Sequence, residues 1–235
     1  MFSRGIDKVK ERMASACALK GRQPQEVMLV AVSKGRSVAQ IQEAVSLGVA
    51  DIGENKVQEA LLKYNGLRGD ACLPGRQGRR IRWHMVGHLQ TNKVKDAVGI
   101  FDMIHSVDSL RLALEIDRQA AKINKVQEVL IEVKTSPEAT KFGIGPEEVP
   151  ALLKEISALK NIKVGGLMTI APFADDPQKA RPYFRMLRQL RDTLNGRLSK
   201  DDELRILSMG MSDDFEVAVE EGATMVRIGR AIFES

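Results

Sequence analysis

Eight short apolar runs, each followed by a stretch of helical period, constrain this chain more tightly than any other feature of its sequence. The runs stand at Val27 to Ser33, Val49 to Gly53, Trp83 to Gly87, Met103 to Val107, Val129 to Val133, Val164 to Ile170, Arg205 to Met209 and Thr224 to Gly229. Most are nearly continuous in Val, Ile, Leu and Met, the pattern of strands covered on both faces of a parallel sheet.

The segments between them carry helix start and stop chemistry. Ser37 with Gln40 makes a capping-box pattern ahead of Val38, Ile41 and Val45, and Gly48 supplies the stop. Asn55 with Gln58 repeats the logic ahead of an inward face of Val57, Leu61 and Tyr64. Asp108 is placed to cap a helix carrying Leu110, Ala113 and Leu114. Pro146 and Pro177 suit first-turn positions, and the second of these helices turns Ala180, Phe184, Leu187 and Leu194 inward. Ser212 is placed to cap a helix with Phe215, Ala218 and Val219.

About eight such units in 235 residues predict one domain, 1–235, folded as a single (β/α)8 TIM-type barrel with residues 4 to 20 as an extra N-terminal helix. Residues 44–53 and 219–229 echo each other as helix end, glycine, strand, glycine. The alternative is an open doubly wound sheet, because periodicity does not reveal closure.

Composition narrows the class. Hydrophobic residues make up 43% and charged residues 29%, as in soluble globular proteins, and no window approaches the length of a membrane span. Two cysteines, Cys17 and Cys72, cannot build a disulfide framework, so a cytoplasmic location is expected. The net charge is +5, and residues 66–82 hold Arg68, Arg76, Arg79, Arg80 and Arg82 against Asp70 alone. The excess is therefore one basic loop, expected at the amino-terminal face. With 4% aromatic residues and no recognition motif, nucleic-acid binding is not expected.

In such a barrel the chemistry sits at the carboxyl ends of the strands. The first strand ends at Lys34, which at the mouth is either a nucleophilic amine toward aldehydes or one of many solvated lysines. The loops after strands seven and eight carry Ser208, Gly210, Ser212 and Gly229, which with the amides at the start of the Ser212 helix are the parts of a phosphate cradle. A nucleophilic lysine facing such a cradle suggests a phosphorylated aldehyde, pyridoxal 5′-phosphate. His84 and His88 are four apart, but Gly87 between them makes a strand and turn, so no metal set is read there; His105 is expected to make a structural hydrogen bond at the barrel rim.

Seven blocks in order along the chain carry a resemblance to a known family. They are Leu29-Val30-Ala31-Val32-Ser33-Lys34, Gly53-Glu54-Asn55 with Val57-Gln58-Glu59-Ala60, Trp83-His84 with Gly87-His88-Leu89-Gln90, Ser106-Val107-Asp108-Ser109, Gly166-Leu167-Met168-Thr169-Ile170, Leu207-Ser208-Met209-Gly210-Met211-Ser212, and Val226-Arg227-Ile228-Gly229. Together they resemble the YggS-like (PROSC-type) pyridoxal phosphate homeostasis proteins. The resemblance implies a barrel like the N-terminal domain of alanine racemase, holding the cofactor as an aldimine on Lys34. It implies that Ser208, Ser212 and the amides near Gly229 and Arg230 hold the phosphate, that Arg227 faces the pyridine nitrogen, and that Asn55 and Met168 line the ring pocket.

An arginine can donate to that nitrogen but cannot accept from a pyridinium, which makes the cofactor a poor electron sink. The chain also ends at Ser235, where a racemase would continue into a second domain. The expected function is therefore cofactor homeostasis, by buffering or by delivery to apo-enzymes, from a monomer without robust catalysis. The alternative is a pyridoxal-phosphate-dependent amino-acid racemase or a related enzyme. Departures from the family pattern fall at Gly35-Arg36, Lys56 and Glu132-Val133-Lys134; Lys141 matches a family lysine and offers either a second amine or a solvated side chain.

Overall fold

The computed structural model describes residues 2–67, 80–136, 138 and 142–234. Eight strands run parallel and in chain order: β1 (Met28–Val32), β2 (Asp51–Glu54), β3 (Arg82–Met85), β4 (Met103–Val107), β5 (Gln127–Glu132), β6 (Ile162–Met168), β7 (Ile206–Ser208) and β8 (Met225–Ile228). β8 pairs back onto β1 with Leu29 opposite Val226 and Ala31 opposite Ile228, so the sheet closes. The barrel is therefore the architecture, and the open sheet is set aside.

Among the described residues the helices are α1 (Ser3–Ala18), α2 (Val38–Ser46), α3 (Val57–Leu67), α4 (Val94–Ile100), α5 (Leu110–Lys122), α6 (Val149–Ile156), α7 (Arg181–Asn195), α8 (Phe215–Glu220) and α9 (Arg230–Phe233). The leading helix α1 buries Ile6, Val9, Met13 and Cys17 and packs on α8 and α9. No described helix is long and apolar enough to cross a membrane.

Local chemistry explains some boundaries and corrects others. The Ser37 and Gln40 side chains form a reciprocal capping box on α2, and Gly48 follows the helix with φ 97°, a conformation open to glycine. Asn55 does not cap α3: the helix begins at Val57, and the carbonyl of Lys56 accepts from Ala60 N at 3.0 Å. Its inward face is Val57, Ala60, Lys63 and Leu67, which leaves Leu61 exposed, because a buried lysine takes a place that hydrophobicity would not assign. Ser109, rather than Asp108, accepts from Leu112 N at the start of α5, and Leu114 is exposed. α6 carries Pro150 in its first turn and Pro146 precedes it; Pro177 opens a short 3-10 turn whose Asp176 side chain accepts from Gln178 N.

The core has two parts. A large cluster lies between sheet and helices and includes Ile41, Ile52, Ile104, Ile116, Leu167, Phe184, Leu207, Phe215 and Ile228. A smaller one, Val30, Val86, Met103, Leu130, Met168 and Met225, takes the alternate strand positions that point into the barrel. α3 ends at Leu67, β3 begins at Arg82 and Arg80 pairs with Asp102; residues 68–79, which make up most of the basic loop, and separately Lys141, lie outside the described residues.

Candidate cofactor site

At the carboxyl ends of the strands a cavity of about 290 Å³ is lined by Val32, Lys34, Arg36, Asn55, Val86, Gly87, Ile170, Met211, Ser212, Arg227, Gly229, Arg230 and Glu234. Six of the eight residues expected to bind cofactor meet there: Lys34, Asn55, Ser212, Arg227, Gly229 and Arg230. Lys34, Arg36, Arg227 and Arg230 face one carboxylate, Glu234, which Arg36 binds. The wall therefore favours an anion.

Two glycines set the shape of that wall. A Cβ on Gly87 would lie 2.5 Å from the Asn55 carbonyl oxygen, and one on Gly229 would lie 3.1 Å from the Val32 carbonyl oxygen. Glycine at these positions lets the ends of β2 and β3, and of β8 and β1, close around the cavity.

Ser212 does not cap α8, which begins after Asp214. Its Oγ accepts instead from Ala231 N, 3.3 Å away in α9, and so ties the loop after β7 to the one after β8. The two loops expected to form one cradle are physically joined. The hydroxyl hydrogen of Ser212 remains available to an anion.

Ser208 and Met168 lie below the cavity rather than on its wall. Met168 fills the barrel interior. Ser208 is fully buried, and its Oγ accepts from Arg227 Nη1 at 2.7 Å and contacts His105 Nδ1 at 3.0 Å. Its hydroxyl is occupied by the arginine, so it supports Arg227 from beneath. Arg227 Nη2 donates to the Thr169 carbonyl at 2.9 Å. Burial lowers the Arg227 guanidinium to about 10, which still leaves it charged at neutral pH. The side chain lines the cavity with N–H groups left over from these two bonds.

His105 is not at the rim. It is buried inside the barrel, with its Nε2 3.0 Å from His84 Nδ1, and His84 Nε2 stands 3.0 Å from Asp51 Oδ1. Burial, reinforced by His84, Arg227 and Arg82, drives the His105 imidazolium well below its ordinary pKa. His84 thus partners His105 and not His88, and no group of three or more metal-ligating side chains occurs among the described residues.

The turn that presents Lys34 is held by a cluster the sequence reading did not single out. Lys63 Nζ, buried on α3, donates to the Ser33 carbonyl at 2.6 Å, to Glu54 Oε1 at 2.6 Å and to Glu59 Oε1 at 2.7 Å. Glu59 Oε1 also accepts from Gly35 N at 2.6 Å, and the Ser33 hydroxyl donates to Glu54. The residues on both sides of Lys34 are therefore strapped to one buried ion cluster. The Glu59 and Lys63 spacing of four was the available signal.

Glu132, inside the barrel at the end of β5, has no hydrogen-bond partner for Oε2 among the described residues. Burial, with the nearby charge of Asp108, pushes its carboxyl up to about 7. It lines a neighbouring cavity of about 90 Å³ with Thr135, Ser136 and Phe142, and Ile170 is common to both cavities.

This geometry coincides with what known proteins share with the chain. Residues 6–235 match the family model for the alanine racemase N-terminal domain. A pyridoxal phosphate homeostasis protein of Aquifex aeolicus is 46% identical over 228 residues, 97% of this chain and 95% of that one. The chain belongs to the pyridoxal phosphate homeostasis protein family.

An Escherichia coli member of the same family is 34% identical over 99% of this chain and 95% of its own length. The solved structure of PipY from Synechococcus elongatus with PLP bound superposes with TM-score 0.80 at 38% identity, covering 96% of this chain and 99% of that one. A Clostridium difficile alanine racemase shares the barrel, with TM-score 0.70 at 16% identity over 88% of this chain and 55% of the racemase. In this family member, then, a cationic cavity with a lysine at the end of β1 stands at the barrel mouth.

Proposed function

We propose that this protein binds pyridoxal 5′-phosphate in the cavity at the barrel mouth and serves its homeostasis, by buffering the cofactor or delivering it to apo-enzymes. One observation carries the reading: Lys34, Ser212, Arg227, Gly229 and Arg230 converge on a single cavity whose cationic side chains outnumber its one carboxylate. The donor set fits the group, with a primary amine for an aldehyde and a hydroxyl and guanidinium for a phosphate. When bound, the cofactor supplies an aldehyde carbon that Lys34 Nζ can bond. Ser212 and Arg230, with the backbone at Gly229, would hold the phosphate, Arg227 would donate to the ring nitrogen, and Asn55 would border the ring.

The protein works as a cofactor holder in the cytoplasm, as one barrel domain and without robust catalysis of its own. A charged Arg227 supports this, because it can only donate to the ring nitrogen and so gives little help to carbanion chemistry. Incubation with pyridoxal phosphate should give a yellow protein whose absorption band borohydride bleaches and Lys34→Ala abolishes. A colourless wild-type protein overturns the binding, and amino-acid racemisation at ordinary enzyme rates overturns the holder reading.

A further inference from the structure

The inward positions near the middle of a barrel of this kind are ordinarily filled by bulky branched residues. Here five of them are polar. Asp51 on β2, His84 on β3, His105 on β4, Ser208 on β7 and Arg227 on β8 form one continuous chain of hydrogen bonds, with successive contacts of 3.0, 3.0, 3.0 and 2.7 Å. His84, His105 and Ser208 are fully buried.

The two ends fix the direction of the chain. Arg227 can only donate, and the Asp51 carboxylate can only accept. If Ser208 accepts from Arg227 and donates its own hydrogen to His105 Nδ1, then His105 carries its proton on Nε2 and donates to His84 Nδ1. His84 then carries its proton on Nε2 and donates to Asp51. Every atom in the chain is satisfied once. The reverse order would have His105 and Arg227 both donating to Ser208, and its hydroxyl hydrogen would find no acceptor among the described residues.

Arg227 is buried with no carboxylate within ion-pair distance among the described residues, and the charges of Glu132 and Asp214 reach it only through space. Neither of those carboxylates is hydrogen-bonded to it, whereas a hydrogen-bonded chain that ends on an anion polarises each link toward that anion and fixes its geometry. We infer that Asp51 is a positioning residue of Arg227, acting through His84, His105 and Ser208 to orient its guanidinium toward the cofactor ring. Asp51 stands at the start of β2, near the amino-terminal face, with Arg82 Nη1 3.9 Å away, so the far end of the barrel sets the geometry of the mouth. This rests on the proposed cofactor site, but its first test does not.

Long-range 1H–15N correlation of the imidazoles in the cofactor-free protein should show His84 and His105 each as a single Nε2–H tautomer; an Nδ1–H proton on His105 overturns the inference. Pyridoxal phosphate titrations complete the test with Asp51→Asn, made in the wild type and in an Arg227→Gln background. The expected weakening is about fivefold in the first and within about twofold in the second. Equal weakening in both backgrounds overturns the inference, because it would mean that Asp51 acts on the site without Arg227. A wild-type protein that binds no cofactor overturns the proposed function, while the tautomers still decide the role of Asp51.

Discussion

Lys63 and Arg227 are both cations buried near the mouth of one barrel, 6% and 4% exposed, yet they are held in opposite ways. Lys63 has two carboxylates and a carbonyl within 2.7 Å, so its charge is neutralised where it stands. Arg227 has a hydroxyl and a carbonyl, and its acidic neighbours Glu132 and Asp214 act on it only from beyond ion-pair distance. A locally neutralised cation fixes a turn. A cation that keeps its field can act on a ligand, and this is the arrangement that stands on the cavity wall.

The largest test of that contrast is Lys63→Met. It leaves the buried Glu54 and the half-buried Glu59 without their partner, so unfolding free energy should fall by about 3–5 kcal/mol in denaturant titration. A loss under about 1 kcal/mol would show that the cluster does not hold the Lys34 turn.

Glu132 tests the field from the other side. Its carboxyl is pushed from 4.5 to about 7, so the folded state binds an extra proton between those values and stability falls as pH rises through that window. Glu132→Gln should remove that slope and stabilise the protein by about 3 kcal/mol at pH 8, with little change at pH 4.5. Denaturant midpoints at the two pH values decide it, and parallel profiles for variant and wild type would refute it.

Arg227→Met should separate binding from folding. Only a hydroxyl and a carbonyl lose a donor, so the stability cost should be about 1–2 kcal/mol, well below that of Lys63→Met, while pyridoxal phosphate affinity drops about a hundredfold or more. Costs equal to those of Lys63→Met would erase the distinction. Arg230 gives the smallest effect: it is exposed and pairs with Asp213 at the surface, so Arg230→Ala should change stability by less than about 0.5 kcal/mol and make cofactor binding less sensitive to salt. An unchanged salt dependence would remove Arg230 from the phosphate site.

Much of this architecture was legible in the residues. The eight apolar runs match eight strands to within a few residues, and the Ser37–Gln40 capping box forms as written. The strand-end positions picked out Lys34, Ser212 and Gly229, the family resemblance added Arg227 and Arg230, and the fold brings all five to one cavity. The failures were of two kinds. Helix starts slipped by a residue or two at Asn55, Asp108 and Ser212: at α5 the neighbouring Ser109 caps instead, and α8 starts after Asp214 with no side-chain cap while Ser212 bonds α9. Ser208 and His105 were assigned by position along a strand rather than by which way each side chain faces.

The sequence by itself determined the eight alternating units and the strand ends where chemistry could stand, since periodicity and capping act over a few neighbouring residues. Only the tertiary structure decided closure, the strap of Lys63 on the Lys34 turn, and the chain from Asp51 to Arg227. Those contacts join residues 33, 21, 103 and 19 positions apart, and they exist because strand register in a closed barrel turns each of these side chains toward the same axis.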